Sequence, residues 1–314
     1  MKKKSDPFLR GDRQWSIGIY SGASPVQLSP HPRVRNPVLT YRSVKDVKAR
    51  FVADPFMLHV EDSWHMFFEV FLAQSEKGAI GWAESQDALR WQYRQIVLQE
   101  PFHLSYPYVF QWKEKIYMIP ESEADESVRL YQADAFPVRW RFVKQLLTGK
   151  GFHDASLFYF KDRWWMFAGI GPGRHDTLCL YSAQDLLDPW QEHPKSPLIR
   201  GNPVTARPGG RVLVQGESVI RFAQEDEPDY GRRLRAFRIT RLTTEEYHEE
   251  EISENPLGRT AHFLAKTKMI GWNAAGMHHV DPHPVGENQW VACVDGQKKV
   301  PTIRWGNRRF WIQF

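Results

Sequence analysis

Cysteine is scarce in this chain: there are two in 314 residues, Cys179 and Cys293. Two thiols cannot build a disulfide framework or a Cys-rich zinc site, which excludes stapled mini-domains and zinc ribbons. Both lie within strand-like runs and read as packing residues. Long hydrophobic runs are missing too. No stretch reaches the roughly 20 apolar residues of a membrane-spanning helix. The start, MKKKSDPFLRGDRQW, is basic but lacks the apolar centre of a secretory signal. The expectation is a cytoplasmic protein with no membrane span. Charge of one sign is not in excess either: 42 Lys and Arg stand against 37 Asp and Glu, a net of +5. The basic residues are scattered, and Glu245 to Glu254 form an acidic run. The pI near 9.1 therefore does not indicate nucleic acid as a partner. Long amphipathic helices are absent, and the best helical candidate, Asp185-Leu186-Leu187, is a single turn. There is no GxSxG and no visible Cys–His nucleophile pairing. The glycine-rich stretch Gly169 to Gly173 opens no helix, which argues against a phosphate loop.

What the chain has instead is aromatics, 14% of its residues, arranged in repeats. Three segments align without a gap: ADPFMLHVEDSWHMFFE from Ala53, SYPYVFQWKEKIYMIPE from Ser105 and HDASLFYFKDRWWMFAG from His153. Each is an apolar run, a two-residue polar turn (Glu61-Asp62, Lys113-Glu114, Lys161-Asp162) and a second aromatic run, a β-hairpin pattern. A fourth copy begins at Ala206 with its turn at Gly216-Glu217, and a looser fifth begins at Met277 with its turn around Gly286-Glu287-Asn288. Further strand pairs follow the first four hairpins. Four short strands per unit at a period near 50, five times over, predict an all-β, five-bladed β-propeller. The expected blades span roughly 43–100, 101–150, 151–200, 201–256, and 270–297 together with 15–42, in one domain over 1–314. The last blade lacks its outer strands at the C-terminal end. Trp15 to Ser21 resembles the third strand of the first blade, Ile80 to Ser85, so the N-terminal strands are expected to complete the ring. Val38 to Tyr41 is the candidate for its fourth strand.

Propeller geometry turns this alignment into a site. Inner strands surround the axis and neighbouring strands run antiparallel, so first-strand starts and second-strand ends share one face. The starts are Asp54, Tyr106, Asp154, Arg207 and His279; the ends are Glu69, Glu121, Gly169, Gln224 and Asp295. Carboxylates at that density, with Arg and His among them, are costly to bury without a reason. A turn-capping role before Pro55 is the plainer alternative for Asp54, and neutralisation of the acids is the plainer one for Arg207. In Met277 to His283, period two places His279, Asp281 and His283 on one strand face and His278 opposite. A fourth ligand is lacking, so neither a metal nor another cofactor is expected. Carboxylate pairs inside a funnel suit sugar hydroxyls and glycosidic chemistry. At least seven of the thirteen Trp fall at fixed blade positions and read as inter-blade packing, so the carboxylates carry the case.

Ala53-Asp54-Pro55-Phe56 and His153-Asp154-Ala155-Ser156-Leu157-Phe158, within five hairpins, resemble the propellers of glycoside hydrolase family 43 and relatives. That resemblance implies Asp54 as general base and Asp154 as the residue that tunes the acid and orients substrate. The blade-four register of the family's acid holds Arg207 here, which passes the acid role to Glu121 or Glu69. Over nearly the whole chain, Arg50 to Phe56, Pro101 to Tyr108 (with His103), Met118 to Ser122 and Gly276 to Pro282 (with His278, His279 and Asp281) resemble the N-terminal propeller of glucosamine inositolphosphorylceramide transferases and its bacterial stand-alone relatives. Two readings follow. The first is an inverting glycoside hydrolase-like enzyme with Asp54, Glu121 and Asp154 as catalytic residues. Glu69, His103, Tyr106, His153, Arg207, Gln224, His278, His279, Asp281 and Asp295 would hold the carbohydrate or glycoconjugate. The second is a noncatalytic sugar-binding propeller that accompanies a glycosyltransferase or polysaccharide pathway.

Overall fold

A computed structural model describes residues 13–171, 173, 175–258 and 271–299, with the backbone of 302–305 and 308–311. Five sheets form a five-bladed propeller, each running from an inner strand at the axis to an outer one. Blade one comprises β3 (Ala49–Val60), β4 (Ser63–Leu72), β5 (Gly78–Ser85) and β6 (Gln92–Leu98). Blade two is β7 (Ser105–Trp112), β8 (Lys115–Ser122), β9 (Ser127–Ala135) and β10 (Arg139–Thr148). Blade three is β11 (Phe152–Phe160), β12 (Arg163–Ile170) and β13 (Thr177–Ala183), edged by β14 (Gln191–Glu192) and β15 (Ile199–Arg200). Its outer strand is split because Pro194 and Pro197 cannot donate to a ladder. Blade four is β16 (Leu213–Gln215), β17 (Ser218–Glu225), β18 (Arg233–Leu242) and β19 (Tyr247–Ser253).

Blade five joins the two ends of the ring. Its inner strands β20 (Val280–Gly286) and β21 (Gln289–Lys299) pair with each other, β21 pairs in turn with β1 (Arg13–Ser24), and β2 (Gln27–Pro30) lies outermost. The β1–β21 ladder runs unbroken from Arg13↔Lys299 to Gly22↔Trp290. The outer strand is therefore 27–30 and not the expected 38–41. A two-residue turn at Pro25-Val26 folds the chain straight back, while Leu39 makes only an isolated bridge to Ile17 and Tyr41–Ser43 forms a 3-10 turn. A further hairpin, β22 (Thr302–Trp305) with β23 (Arg308–Trp311), follows the last blade.

The hairpin turns behave as the repeat requires. Glu61, Lys113 and Lys161 all adopt positive φ, matching the right-handed twist of the flanking strands. The core is the set of seams between blades. Phe67 of blade one meets Trp140 of blade two edge-on at 5.4 Å, and Phe110 and Trp112 of blade two pack on Trp164 of blade three. Other seams are built the same way, with Ile17, Val52 and Met66 between blades five and one, and Phe222, Leu234 and Ala292 between four and five. Burying a side chain of this size contributes roughly 1.5–3 kcal/mol, so the Trp periodicity records packing. Arg211 of blade four plugs the channel. Its Nε donates to Asp281 Oδ1 at 2.5 Å, its Nη2 to the carbonyls of Met57 and Val109, and its guanidinium stacks over Tyr108. One side chain thus ties blades one, two, four and five together below the funnel.

Candidate functional site

The funnel residues are aimed by a repeated irregularity. In each of the first three blades the inner strand carries a β-bulge, two residues opposing one. Asp54 and Pro55 face Phe68, Tyr106 and Pro107 face Pro120, and Asp154 and Ala155 face Ala168. The first bulged residue is left-handed each time, with φ of 53° at Asp54, 44° at Tyr106 and 49° at Asp154. Such a conformation costs a non-glycine residue roughly 1–2 kcal/mol. It turns Asp54 and Asp154 toward the axis and points each freed backbone N–H at a carboxylate of the preceding blade. Asp54 N donates to Asp295 Oδ2 at 3.2 Å, Tyr106 N to Asp54 Oδ2 at 3.3 Å and Asp154 N to Glu121 Oε2 at 3.2 Å. The bulges therefore stitch neighbouring blades while building the site.

Two ion-pair networks line the funnel. On one side Arg207 donates from Nε to Asp154 Oδ2 at 2.5 Å and from Nη2 to Glu121 Oε2 at 3.3 Å. Gln224 adds a bond to the same Asp154 oxygen at 2.7 Å, and Ser105 Oγ donates to Glu121 Oε1 at 3.3 Å. Burial raises the Glu121 carboxyl, but His153 and Arg207 outweigh it, and Glu121 ends well below the usual range. Burial pushes Asp154 well up; Arg207 pulls against this, and the Glu121 charge adds to the rise. One guanidinium is thus shared by two acids that titrate as a unit. On the other side His278 Nδ1 lies 2.7 Å from Asp295 Oδ2, and its Nε2 lies 3.8 Å from Asp54 Oδ1. Burial disfavours the imidazolium, yet Asp295 and Asp54 hold His278 at about 9. Asp54 moves the other way: burial raises it to about 6 against the pull of His278.

The remaining expected residues take distinct places. Glu69, 5% exposed, has His103 Nε2 3.4 Å away, and burial followed by the surrounding acids raises its carboxyl well above the usual value. His103 is the accessible partner at the rim. Tyr106 lies beneath the carboxylates as floor, its hydroxyl donating to Gly210 O at 3.0 Å and accepting from Gly210 N at 2.7 Å. His279 is fully buried against Phe56 and Tyr106 and kept neutral, burial lowering it to about 4. Asp281 is not at the funnel mouth. It lies deeper along the channel, where it holds Arg211, His283 and the Met57 N–H, and Arg211 keeps it well below the usual range against burial. The chain runs inward from His278 through the buried stretch to Pro282 before it emerges again at Pro284, and strand alternation alone does not show that depth.

Three groups were not legible as site residues. Tyr230, in the β17–β18 connection, stands over the funnel. Its ring meets His278 edge-on at 5.2 Å and lies under the Arg207 guanidinium at 5.5 Å, while its carbonyl accepts from Arg13 and Gln297. His175 Nδ1 lies 2.6 Å from Arg207 Nη1 and 3.2 Å from Asp226 Oδ2. All three lie outside the hairpin repeat that located the others; the only signal is an aromatic and two polar residues in loops on the funnel face. Two sets of ligand-capable side chains converge within 4.8 Å among the described residues: Asp54, His278 and Asp295, and Glu121, Glu123 and His153. The first is closed on itself by the His278–Asp295 ion pair.

Comparison with known proteins extends this picture. A family model described as "Glucosamine inositolphosphorylceramide transferase 1, N-terminal" matches residues 9–297. Glucosamine inositolphosphorylceramide transferase 1 of Oryza sativa subsp. japonica is 34% identical over 308 residues, covering 92% of this chain and 40% of the relative. The Arabidopsis thaliana protein of the same name is 32% identical over 304 residues, covering 90% and 39%. The chain thus spans about two fifths of the length of these curated relatives. Among solved structures, the catalytic domain of a Coprinopsis cinerea GH62 alpha-L-arabinofuranosidase superposes with a TM-score of 0.58 at 11% identity, covering 91% of this chain and 97% of that one. A family 117 glycoside hydrolase from Zobellia galactanivorans gives 0.53 at 14%, covering 91% and 90%. At that identity these likenesses show the fold.

Proposed function

The chain belongs to the glucosamine inositolphosphorylceramide transferase 1 N-terminal family, and from that premise we propose that it is a carbohydrate-recognition propeller whose funnel receives a polyhydroxylated ring of a glycan or glycolipid headgroup. The observation that carries this reading is the state of Arg207 and its acids. A glycosidase of the expected kind needs a protonated acid opposite the base. Glu121 is held ionised, and Arg207 occupies the register of the missing acid while binding Asp154 and Glu121 together. Locked carboxylates, a guanidinium and imidazoles are suited to grip hydroxyls, and the Tyr230 ring offers an apolar surface to a sugar face. The reaction then belongs to a partner, a glycosyltransferase that takes the presented glycan.

One observation favours a second reading. Burial and the surrounding acids raise the Glu69 carboxyl well above its usual value, the direction a general acid needs, and Asp54 is raised to about 6. Hydrolysis would then pair Asp54 as base with Glu69 as acid. The deciding experiment measures binding and product release on a panel of glycans and inositol-linked sugars, with the unaltered protein, Asp54→Asn and Glu69→Gln. Recognition predicts saturable binding and no release from any of the three. Release that both substitutions abolish sinks the recognition reading and establishes the hydrolase.

A further inference from the structure

We propose that a cleft on the hairpin-turn face, remote from the funnel, is a second binding site, for a sugar that carries a carboxylate. The cleft has a volume of about 600 Å³, the size of a small-ligand site, and lies at the seam between blades five and one. Its walls include His31 and Arg33 from the connection after β2, Trp64 at the start of β4, and Asp87 between β5 and β6. Asn288 and Gln289, at the β20–β21 turn, complete it. β4 and β21 begin beside the cleft and carry Glu69 and Asp295 further along, so five or six residues of strand, roughly 17–20 Å, separate it from the funnel.

The charges in the cleft select an anion. Arg33 is exposed and has no carboxylate partner among the described residues. Asp87 does not neutralise it, because that carboxylate is committed to its own turn. Its Oδ1 accepts from the N–H groups of Leu89 and Arg90 and from Ser85 Oγ, and its Oδ2 accepts from Arg90 Nε at 2.9 Å. Burial raises the Asp87 carboxyl, but these donors outweigh it and hold it down to about 2. The wall that bears Arg33 is rigid before any ligand arrives. Val34 N donates to His31 O at 3.0 Å, and the Asn36 side chain clamps the Ile19 N–H at 2.8 Å and the Ile19 carbonyl at 2.9 Å. Arg33 N donates to His31 Nδ1 at 3.2 Å, which leaves Nε2 of the neutral ring as a donor. The neutral groups select a sugar. Asn288 and Gln289 are exposed, and each amide offers both donors and an acceptor to neighbouring hydroxyls. Trp64 is half-buried, braced by His59 at 4.8 Å and edge-on by His283 at 5.4 Å. An indole beside amides and a guanidinium matches the apolar face, the hydroxyls and the carboxylate of a uronic ring. An inorganic anion would use only the guanidinium. The site stands whether the funnel recognises or hydrolyses its own sugar.

The test titrates the whole chain by calorimetry at pH 7.5 with digalacturonate and, separately, with sodium glucuronate, each beside its neutral methyl ester. The expected result is saturable binding of one equivalent of acid sugar, at least about tenfold weaker for the ester and in Arg33→Gln, and severalfold weaker in Asn288→Gly. Arg33 is exposed and Asn288 has a φ of 51°, which glycine tolerates, so both variants keep the fold. Arg35→Gln, an exposed charge outside the cleft, should bind as the unaltered protein does. No saturable binding of either acid, equal affinity for the esters, or equal weakening in Arg35→Gln overturns the proposal. So does binding that Asp54→Asn abolishes and Arg33→Gln leaves intact, which places the acid sugar in the funnel.

Discussion

His278 makes this protein's stability fall as the solution turns mildly alkaline. Its imidazolium is held between Asp295, at 2.7 Å, and Asp54, at 3.8 Å, which raises it from the usual 6.5 to about 9. The folded state therefore binds this proton more tightly than the unfolded chain does. The stabilisation is complete below pH 6.5 and lost as pH rises through 9. At about 1.4 kcal/mol per tenfold difference in proton affinity, the loss amounts to roughly 3 kcal/mol. His153, Glu69 and Asp154, also raised, act in the same direction and add to the slope. His279, lowered to about 4, is neutral throughout this window and adds none. Urea unfolding followed by tryptophan fluorescence at pH 6.5, 7.5 and 9 measures the effect, and His278→Gln isolates it. Unaltered protein should lose about 3 kcal/mol or more across the window, and the variant should lose about 3 kcal/mol less than that. A flat profile for the unaltered protein, or the same slope in His278→Gln, would refute the reasoning.

Two further predictions concern the frame. Arg207→Met strips the shared cation from two buried acids and should lower stability at pH 7.5 by about 3–5 kcal/mol; a urea midpoint shift worth under about 1 kcal/mol contradicts the network. Removing residues 1–30 deletes β1 and β2 and exposes the ladder edge of β21, so the truncated chain should show no cooperative thermal transition by circular dichroism. A folded monomer on size-exclusion chromatography would show that the ring does not need this closure.

Much of the fold was legible because hairpins leave short-range marks. Polar turns between apolar runs, Trp at constant offsets and an N-terminal run resembling a third strand each reflect local geometry that repeats. The ends of β4, β8, β17 and β21 followed from antiparallel counting, which is why Glu69, Glu121, Gln224 and Asp295 were found together. The outer strand of blade five was misplaced because Val38 to Tyr41 looks more strand-like than Gln27 to Pro30; the tight turn at Pro25-Val26 decides between them. The bulges at Asp54, Tyr106 and Asp154 left only a faint mark, a proline after two of the three. Tyr230 and His175 reach the funnel from loops whose path depends on the whole ring. Protonation states were the least legible, since the opposite behaviour of Glu121 and Glu69 depends on which acid Arg207 reaches.

Arg13 and Lys299 are register partners, so the chain enters and leaves the ring one strand apart, roughly 5 Å. Both stand on the face where the funnel opens, beside the Tyr230 loop that Arg13 and Gln297 hold. Any segment joined at either end is therefore tethered at the funnel mouth and not on the hairpin-turn face. In relatives more than twice as long, a domain attached there would meet whatever the funnel holds at the high local concentration a short tether imposes. Closing the ring with its own first strand fixes the fold and also sets the face on which any joined segment stands.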